Sequence, residues 1–538
     1  MLNGEQRLIS AESAEVRKAF TPGNLTPTAL APLLTAAGVA EQSLISLRLG
    51  ELKNRQALGP LAFAIQTFRL LAFGSTFRTA AKRPVRRAVA ICLLSAALTA
   101  CEAYQPEPLD NRPDLLSEVS VLTISPSDLA LPELGTHPFD PSRPLDMDEV
   151  AMIAVVNNPD LKAMRDQVGI AEAQAFAAGL LPNPSFAFAY GALLGGFGAT
   201  TGSVSATLGE DIVPLLTRSA RRSAASANER SVRLNVLWQE WQIVSQARTL
   251  FTRTIELERQ RAVIDQYRKL FSDRYQRSNI AMRQGNETLP TVVSDLAALQ
   301  AVETQLHDTE QLVLKNRHDL NALLGLAPEV QLRLLDGVSV TAIDAAKMKG
   351  ILRDLARRRP DLLALAAGYD SEEQKLRQAI IEQFPKLNIA PNYTNDTTPV
   401  YTVGPTFTIG LPIFDRNQGN IAIERATRQR LQDEYQARLD TAYGAADRLI
   451  TELELIEAQY RGSLDSIRRL RDAANVADQA YAAGNLDERS YVDLHASLLA
   501  KEIETLKLEQ TLIEQRIALQ TLIGSDIPAR RIDRFSLQ

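Results

Sequence analysis

Asn158-Pro159-Asp160-Leu161 returns 201 positions later as Arg359-Pro360-Asp361-Leu362. Pro184 and Pro385 keep that spacing, as do Gly209 and Gly410. Gly285-Asn286 with Gly484-Asn485, and Leu324-Gly325 with Ile523-Gly524, keep a spacing of 199. The change of two falls near Asp211, as a two-residue deletion predicts. Five markers held in register across half the chain describe a duplication, so the second copy repeats whatever unit the first one folds into.

Each copy has the same internal order. A short helix follows the Pro-Asp-Leu start, over Leu161 to Ala178 in the first copy. Next come strand-like stretches in which small or polar residues alternate with larger apolar ones: Ser185-Phe186-Ala187-Phe188-Ala189-Tyr190 and Leu387-Asn388-Ile389-Ala390-Pro391-Asn392-Tyr393. A period of two gives a strand two unlike faces. After Gly195-Gly196-Phe197-Gly198 or Asn395-Asp396-Thr397-Thr398, a second strand returns through Ser203 to Leu208 or Thr406 to Ile409. One hairpin per copy gives four strands per chain. Four strands cannot close a barrel, and an open edge does not persist in lipid. The strands therefore lie in water, or several chains pool them.

Long helices follow each hairpin. Leu215 to Gln284 contains neither glycine nor proline, so one helix of roughly 100 Å is expected at 1.5 Å per residue. The matching span after Pro412 lacks proline as far as Ile527, with Gly444 and Gly462 as points where it can bend. Turns at Gly285-Asn286 and Gly484-Asn485 reverse the chain, and a second helix returns to Leu324 or Ile523. The last helix carries two apolar stripes. Leu499, Ile503, Leu506, Ile513 and Ile517 form one, and Leu494, Leu498, Leu508, Leu512, Leu519 and Leu522 form the other. A helix with two seams has a neighbour on each side, as in a wall of helices; a broad face buried in a globular bundle is the simpler alternative.

The rest of the chain sets limits. A net charge of −5 with no basic arm speaks against nucleic acid as a partner. Aromatic content of 6% is low for packed sheets, and no apolar run reaches the ~18 residues of a spanning helix. A membrane crossing must then use strands. Lys82, Arg83, Arg86 and Arg87 precede an apolar run, Ala88 to Ala97, that ends in Leu98-Thr99-Ala100-Cys101. This is the layout of a secretory signal with a lipobox, in which Cys101 takes the lipid. Glu102 follows it in place of an inner-membrane retention aspartate. Some eighty residues precede this segment, and no methionine lies between Met1 and Met147. Translation is therefore expected to start near Val85. Many prolines between Pro106 and Pro144 read as an extended arm. No phosphate-binding loop, catalytic motif or ligand-spaced His/Cys cluster is present; His137, His307, His318 and His495 are scattered. No enzyme activity, cofactor or resident metal is expected, and energy for any transport comes from a partner.

Residues 147–527 resemble the TolC-type outer-membrane efflux channels. The most specific part is Gly410-Leu411-Pro412-Ile413-Phe414-Asp415-Arg416-Asn417-Gln418-Gly419, whose ending is similar to the heavy-metal exporter branch. The first copy is degenerate there, reading Gly209-Glu210-Asp211-Ile212-Val213-Pro214. The resemblance implies a mainly α fold with one hairpin per repeat and long antiparallel helices forming an α-barrel. It further implies a homotrimer whose twelve strands close one transmembrane barrel. Gly285, Asn286, Gly484, Asn485 and Leu486 then form the tips that meet a periplasmic adaptor, and Asp493 joins the tip constriction. Where the family often has a second acidic residue, this chain has Ser490. The implied partners are that adaptor, an inner-membrane pump of the proton-driven RND type and outer-membrane lipid.

The expected organisation is an extension at 1–84, a signal peptide at 85–100 and a lipid-anchored linker at 101–146. The first copy follows at 147–345 (hairpin about 185–209, helices 215–284 and 290–324). The second occupies 346–527 (hairpin about 386–410, helices 420–483 and 486–523), with a tail at 528–538. The expected location is the outer membrane, with helices in the periplasm. Two alternatives stand: a coiled-coil scaffold protein, and the outer-membrane component of a type I secretion system. Mass spectrometry of membrane-derived protein is expected to give a mature chain beginning at lipid-modified Cys101; an intact peptide spanning residues 90–110 in the exported protein would overturn this.

Overall fold

A computed structural model describes residues 104–125, 129, 132–195, 201–336, 341–397, 400–524 and 529–531. The chain splits into two compact units, Met1–Asn111 and Arg112–Gln538. Of the first, only residues 104–111 are described, and they are exposed and irregular. Cys101 and the signal-like segment lie outside the described residues.

The elements of the second unit repeat in order. The first copy contains α1 (Met147–Asn157), α2 (Pro159–Gly179), β1 (Ser185–Gly191), β2 (Ser203–Asp211), α3 (Ile212–Arg283) and α4 (Leu289–Leu323). After β3 (Thr341–Ile343), the second contains α5 (Ala345–Leu352), α6 (Pro360–Ile381), β4 (Leu387–Asn395), β5 (Tyr401–Ile409), α7 (Gln418–Ala482) and α8 (Glu488–Ile523), and β6 (Ala529–Arg531) pairs back with β3. Local chemistry sets the starts. Asp146 and Glu149 form a reciprocal capping box on α1. Asn158 caps α2 by accepting the Leu161 N–H at 2.9 Å, with Pro159 at the first helical position, where a missing N–H costs nothing.

The two copies differ where strand gives way to helix. α3 begins directly after β2, three residues before Leu215, because Pro214 sits in the first turn, whose N–H groups have no intrahelical acceptor anyway. The second copy spends residues 410–417 on a loop before α7. α3 consequently has 72 residues and α7 has 65, about 108 and 98 Å of helix, and α7 runs through Gly444 and Gly462 without interruption.

Each very long helix is flanked by two shorter ones in succession. α3 packs against α2 and α4, and also against α6 and α8; α7 packs against α6 and α8. Both stripes of α8 are used. Leu499, Ile503, Leu506, Ile513 and Ile517 are buried, as are Leu498, Leu512 and Leu519, while Leu494, Leu508 and Leu522 are half-buried. One apolar core joins Phe251, Tyr460, Leu320 and Ile513 to Val150–Val155 of α1; a second, nearer the turns, joins Ile264, Phe271, Val302, Ile467 and Leu506. Buried polar groups pin the register between helices. The Asn316 amide donates to the Leu250 carbonyl at 3.0 Å, and Arg259 bridges buried Glu256 and Glu509 at 3.1 Å each. From Arg112 on, the described residues of the proline-rich stretch hold only a 3-10 turn (Val119–Val121) and one helical turn (Pro132–Gly135), and the stretch is strapped to the helices: Leu116 and Leu145 bridge to Leu326 and Leu334, and Leu134 and Leu145 are buried.

Glu372 of α6, buried, faces Glu424 of α7. A hydrogen bond between these carboxyls, then burial and the charge of Glu372, push Glu424 up to about 7, opposed by Lys375. A folded-state value above the unfolded one means that the folded chain binds the extra proton. Stability is then fully present below about 4.5 and falls as pH rises toward about 7. Glu424→Gln is expected to flatten that fall, measured by denaturant midpoints at the two ends of the window; an unchanged slope would contradict the shared proton.

Candidate functional site

The four-stranded sheet has the order β1-β2-β4-β5, antiparallel throughout, so the β2–β4 ladder joins the two copies. Directly paired residues share a face, and the register sorts the side chains cleanly. Phe186, Phe188 and Tyr190 pair with Leu208, Ala206 and Val204. Tyr393, Ile389 and Leu387 pair with Val403, Phe407 and Ile409. Phe186, Phe188, Tyr190, Val403 and Phe407 are each at least 60% exposed, so no described residue covers this apolar face. The opposite face carries Ser205, Thr207, Asn388, Asn392, Thr394, Thr402 and Thr408. It is tied across strands by Asn388 donating to Asp211 at 2.8 Å and by a 3.1 Å contact between Thr207 and Asn392. Three strands have nine residues, close to the ~9–11 needed to cross a hydrocarbon layer. The outer edges of β1 and β5 have no strand partner among the described residues.

The Gly410–Gly419 motif turns β5 into α7. Asn417 adopts φ 61°, the sole positive φ of a non-glycine among the described residues, a region asparagine tolerates better than most. Its backbone N–H donates to Asp415 at 2.8 Å and its amide to the Ala379 carbonyl at 2.9 Å, which fixes the loop to α6. Phe414, Leu411 and Ile413 remain exposed at this junction.

At the other end, Gly285 and Gly484 close α3 and α7 in the left-handed region, at φ 77° and 71°. Asn286 and Asn485 donate backbone N–H groups to Ala281 and Ala480, completing matched C-terminal caps. These four residues are exposed, while Leu486 is half-buried against the second core. Asp493 stands on the exposed surface of α8 with Arg489 at 3.9 Å, outside the buried groups nearby.

Those buried groups form a clamp that no motif in the sequence announces. Arg274 of α3, nearly buried, lies 3.8 Å from Asp295 of α4 and contacts Glu488 of α8. Its guanidinium sits over the rings of Tyr481 and Tyr491, at 4.4 and 4.2 Å. The Tyr491 ring packs at a tilt against His495, with centroids 4.3 Å apart, and His495 contacts Asp478 of α7 at 3.0 Å. Burial, with Asp478 alongside, pushes Tyr491 up to about 12, and burial raises Asp295 despite the nearby arginine. One cation thus ties all four helices near their turns. The one sequence signal for it is a break in the repeat: Arg274, Asp295 and Tyr491 stand opposite Ala473, Leu494 and Val292 in the other copy.

The outer membrane efflux protein family model matches residues 351–525. A sequence search of the curated proteins found no match. Among solved structures, the CusC channel is similar with a TM-score of 0.60 at 16% identity, covering 77% of this chain and 99% of that one. VceC from Vibrio cholerae gives 0.59 at 16%, over 70% and 96%. CmeC from Campylobacter jejuni gives 0.59 at 13%, over 79% and 94%. Residues 351–525 thus resemble the outer membrane efflux protein family, and the fold of the chain is that of the TolC-type outer-membrane channels.

Proposed function

We propose that the chain is one third of an outer-membrane exit duct, passively conducting cargo delivered by an inner-membrane pump of the RND type through a periplasmic adaptor. The observation that carries this is the sheet, which among the described residues has one uncovered apolar face, one polar face and two unpaired edges. In lipid each unpaired backbone group costs several kcal/mol. Three chains of four strands would close a twelve-stranded barrel with apolar residues outward and polar residues lining the lumen. The helices, about 100 Å long, would continue that lumen through the periplasm. Cys101 would anchor the chain to outer-membrane lipid. Gly285, Asn286, Gly484, Asn485 and Leu486 would present the tips to the adaptor, with Asp493 on the constriction. The ending of the Gly410–Gly419 motif favours metal ions as cargo; a secreted polypeptide is the second reading within the class.

Detergent-extracted protein is expected to be trimeric and to conduct ions in planar bilayers. A monodisperse monomer that conducts would defeat the proposal. Asp493→Ala is expected to weaken block by multivalent cations and raise basal conductance, whereas no change in either removes Asp493 from the constriction. Arg274→Met leaves Asp295 and Glu488 without their cation, at a cost of about 3–5 kcal/mol. Hydrogen exchange near both turns should then accelerate while the sheet stays protected; unaltered exchange at the turns would show that Arg274 is not the clamp.

A further inference from the structure

We propose that the opening turns of α3 form a binding face for the phosphate headgroups of anionic phospholipid in the leaflet next to the helical end of the sheet. The proposal rests on the channel reading above and assigns a lipid site to it. A hollow of about 620 Å³ is lined by Leu215, Arg218, Ser219, Arg222, Ser223, Ser226, Ala227 and Arg230, all from one face of α3. It offers three guanidinium groups and three hydroxyls, and no carboxylate lines it. Arg218 spends its Nε–H on the Gly179 carbonyl at 2.8 Å, capping the end of α2, and Arg230 is held by Asp370 at 2.9 Å. Neighbouring Arg221 and Arg233 lie outside the hollow; they serve the α2 carbonyls and Glu172 with Glu229. Arg222 has neither a hydrogen bond nor an ion pair among the described residues. Spacing of four places Arg218 and Arg222 one above the other, and a guanidinium pair of this kind suits phosphate oxygens.

Position selects lipid over free phosphate. α3 starts one residue after β2 leaves the sheet, and Leu215, Leu216, Leu180 and Leu181 are exposed at that level. Arg218 and Arg222 follow about 9 and 15 Å along the helix. Apolar side chains followed by cations within a turn or two match the passage from hydrocarbon to headgroups. The face belongs to one copy only: the first 22 residues of α3 carry five arginines and Glu229, whereas those of α7 mix four arginines with Glu424, Asp433 and Glu434.

The test is native mass spectrometry of protein released from bilayers of mixed phosphatidylglycerol and phosphatidylcholine. The wild type should retain phosphatidylglycerol preferentially, and Arg218→Gln and Arg222→Gln should each weaken retention about fivefold. Arg233→Gln removes the same charge outside the hollow and should change retention little. Equal retention of the two lipids, or an equal loss in Arg233→Gln, would overturn the site. Displacement of the retained lipid by inorganic phosphate alone would make it a free-phosphate site and refute the lipid assignment. Failure to insert into bilayers at all would instead count against the channel reading.

Discussion

The backbone groups on the outer edges of β1 and β5 constrain everything else. An apolar face that no described residue covers is suited to lipid, yet lipid offers no partner for an unpaired N–H or C=O. A sheet of four strands satisfies one demand only by violating the other, unless the edge of one chain pairs with the edge of the next. The duplication makes such closure simple. The β2–β4 ladder already joins the end of one hairpin to the start of another, so a β5–β1 ladder between chains would repeat an interaction the fold contains.

The helices obey a related constraint of length. α3 and α7 must each pass two shorter partners in succession, α2 then α4 and α6 then α8, without losing register. Apolar seams give attraction but little positional precision along so long a contact. Discrete polar ties supply it: Asn316 on the Leu250 carbonyl in the middle, and Arg259 between Glu256 and Glu509 further along. Arg274 completes the series near the turns. Breaking any charged tie leaves its partner buried and unpaired, which is why such groups fix the alignment even where they add little net stability.

Much of this fold is legible in the sequence because its signals are local. Alternation along Phe186 to Tyr190 predicts two unlike strand faces, and the uninterrupted run from Leu215 to Gln284 predicts a long helix; the structure contains both. Marker spacing locates the copies but not the junction, since a proline suggests a helix beginning after Pro214 and the helix in fact includes it. The Arg274 clamp is not legible, because Arg274, Asp295, Tyr481 and Glu488 lie on four helices and meet only once those helices are packed. Asp493, conspicuous in sequence, is exposed in the single chain. The proline-rich segment illustrates the same limit. Its composition reads as an extended arm, while Leu116, Leu134 and Leu145 find partners far along the chain.

The most direct test of the account is hydrogen exchange of the protein in a lipid bilayer, resolved to Ser185–Gly191 and Tyr401–Ile409. If neighbouring chains pair β5 with β1, amides of these edge strands should be as protected as those of β2 and β4. Fast exchange confined to β1 and β5, with β2 and β4 protected, would mean that the edges stay open and that no barrel closes between chains.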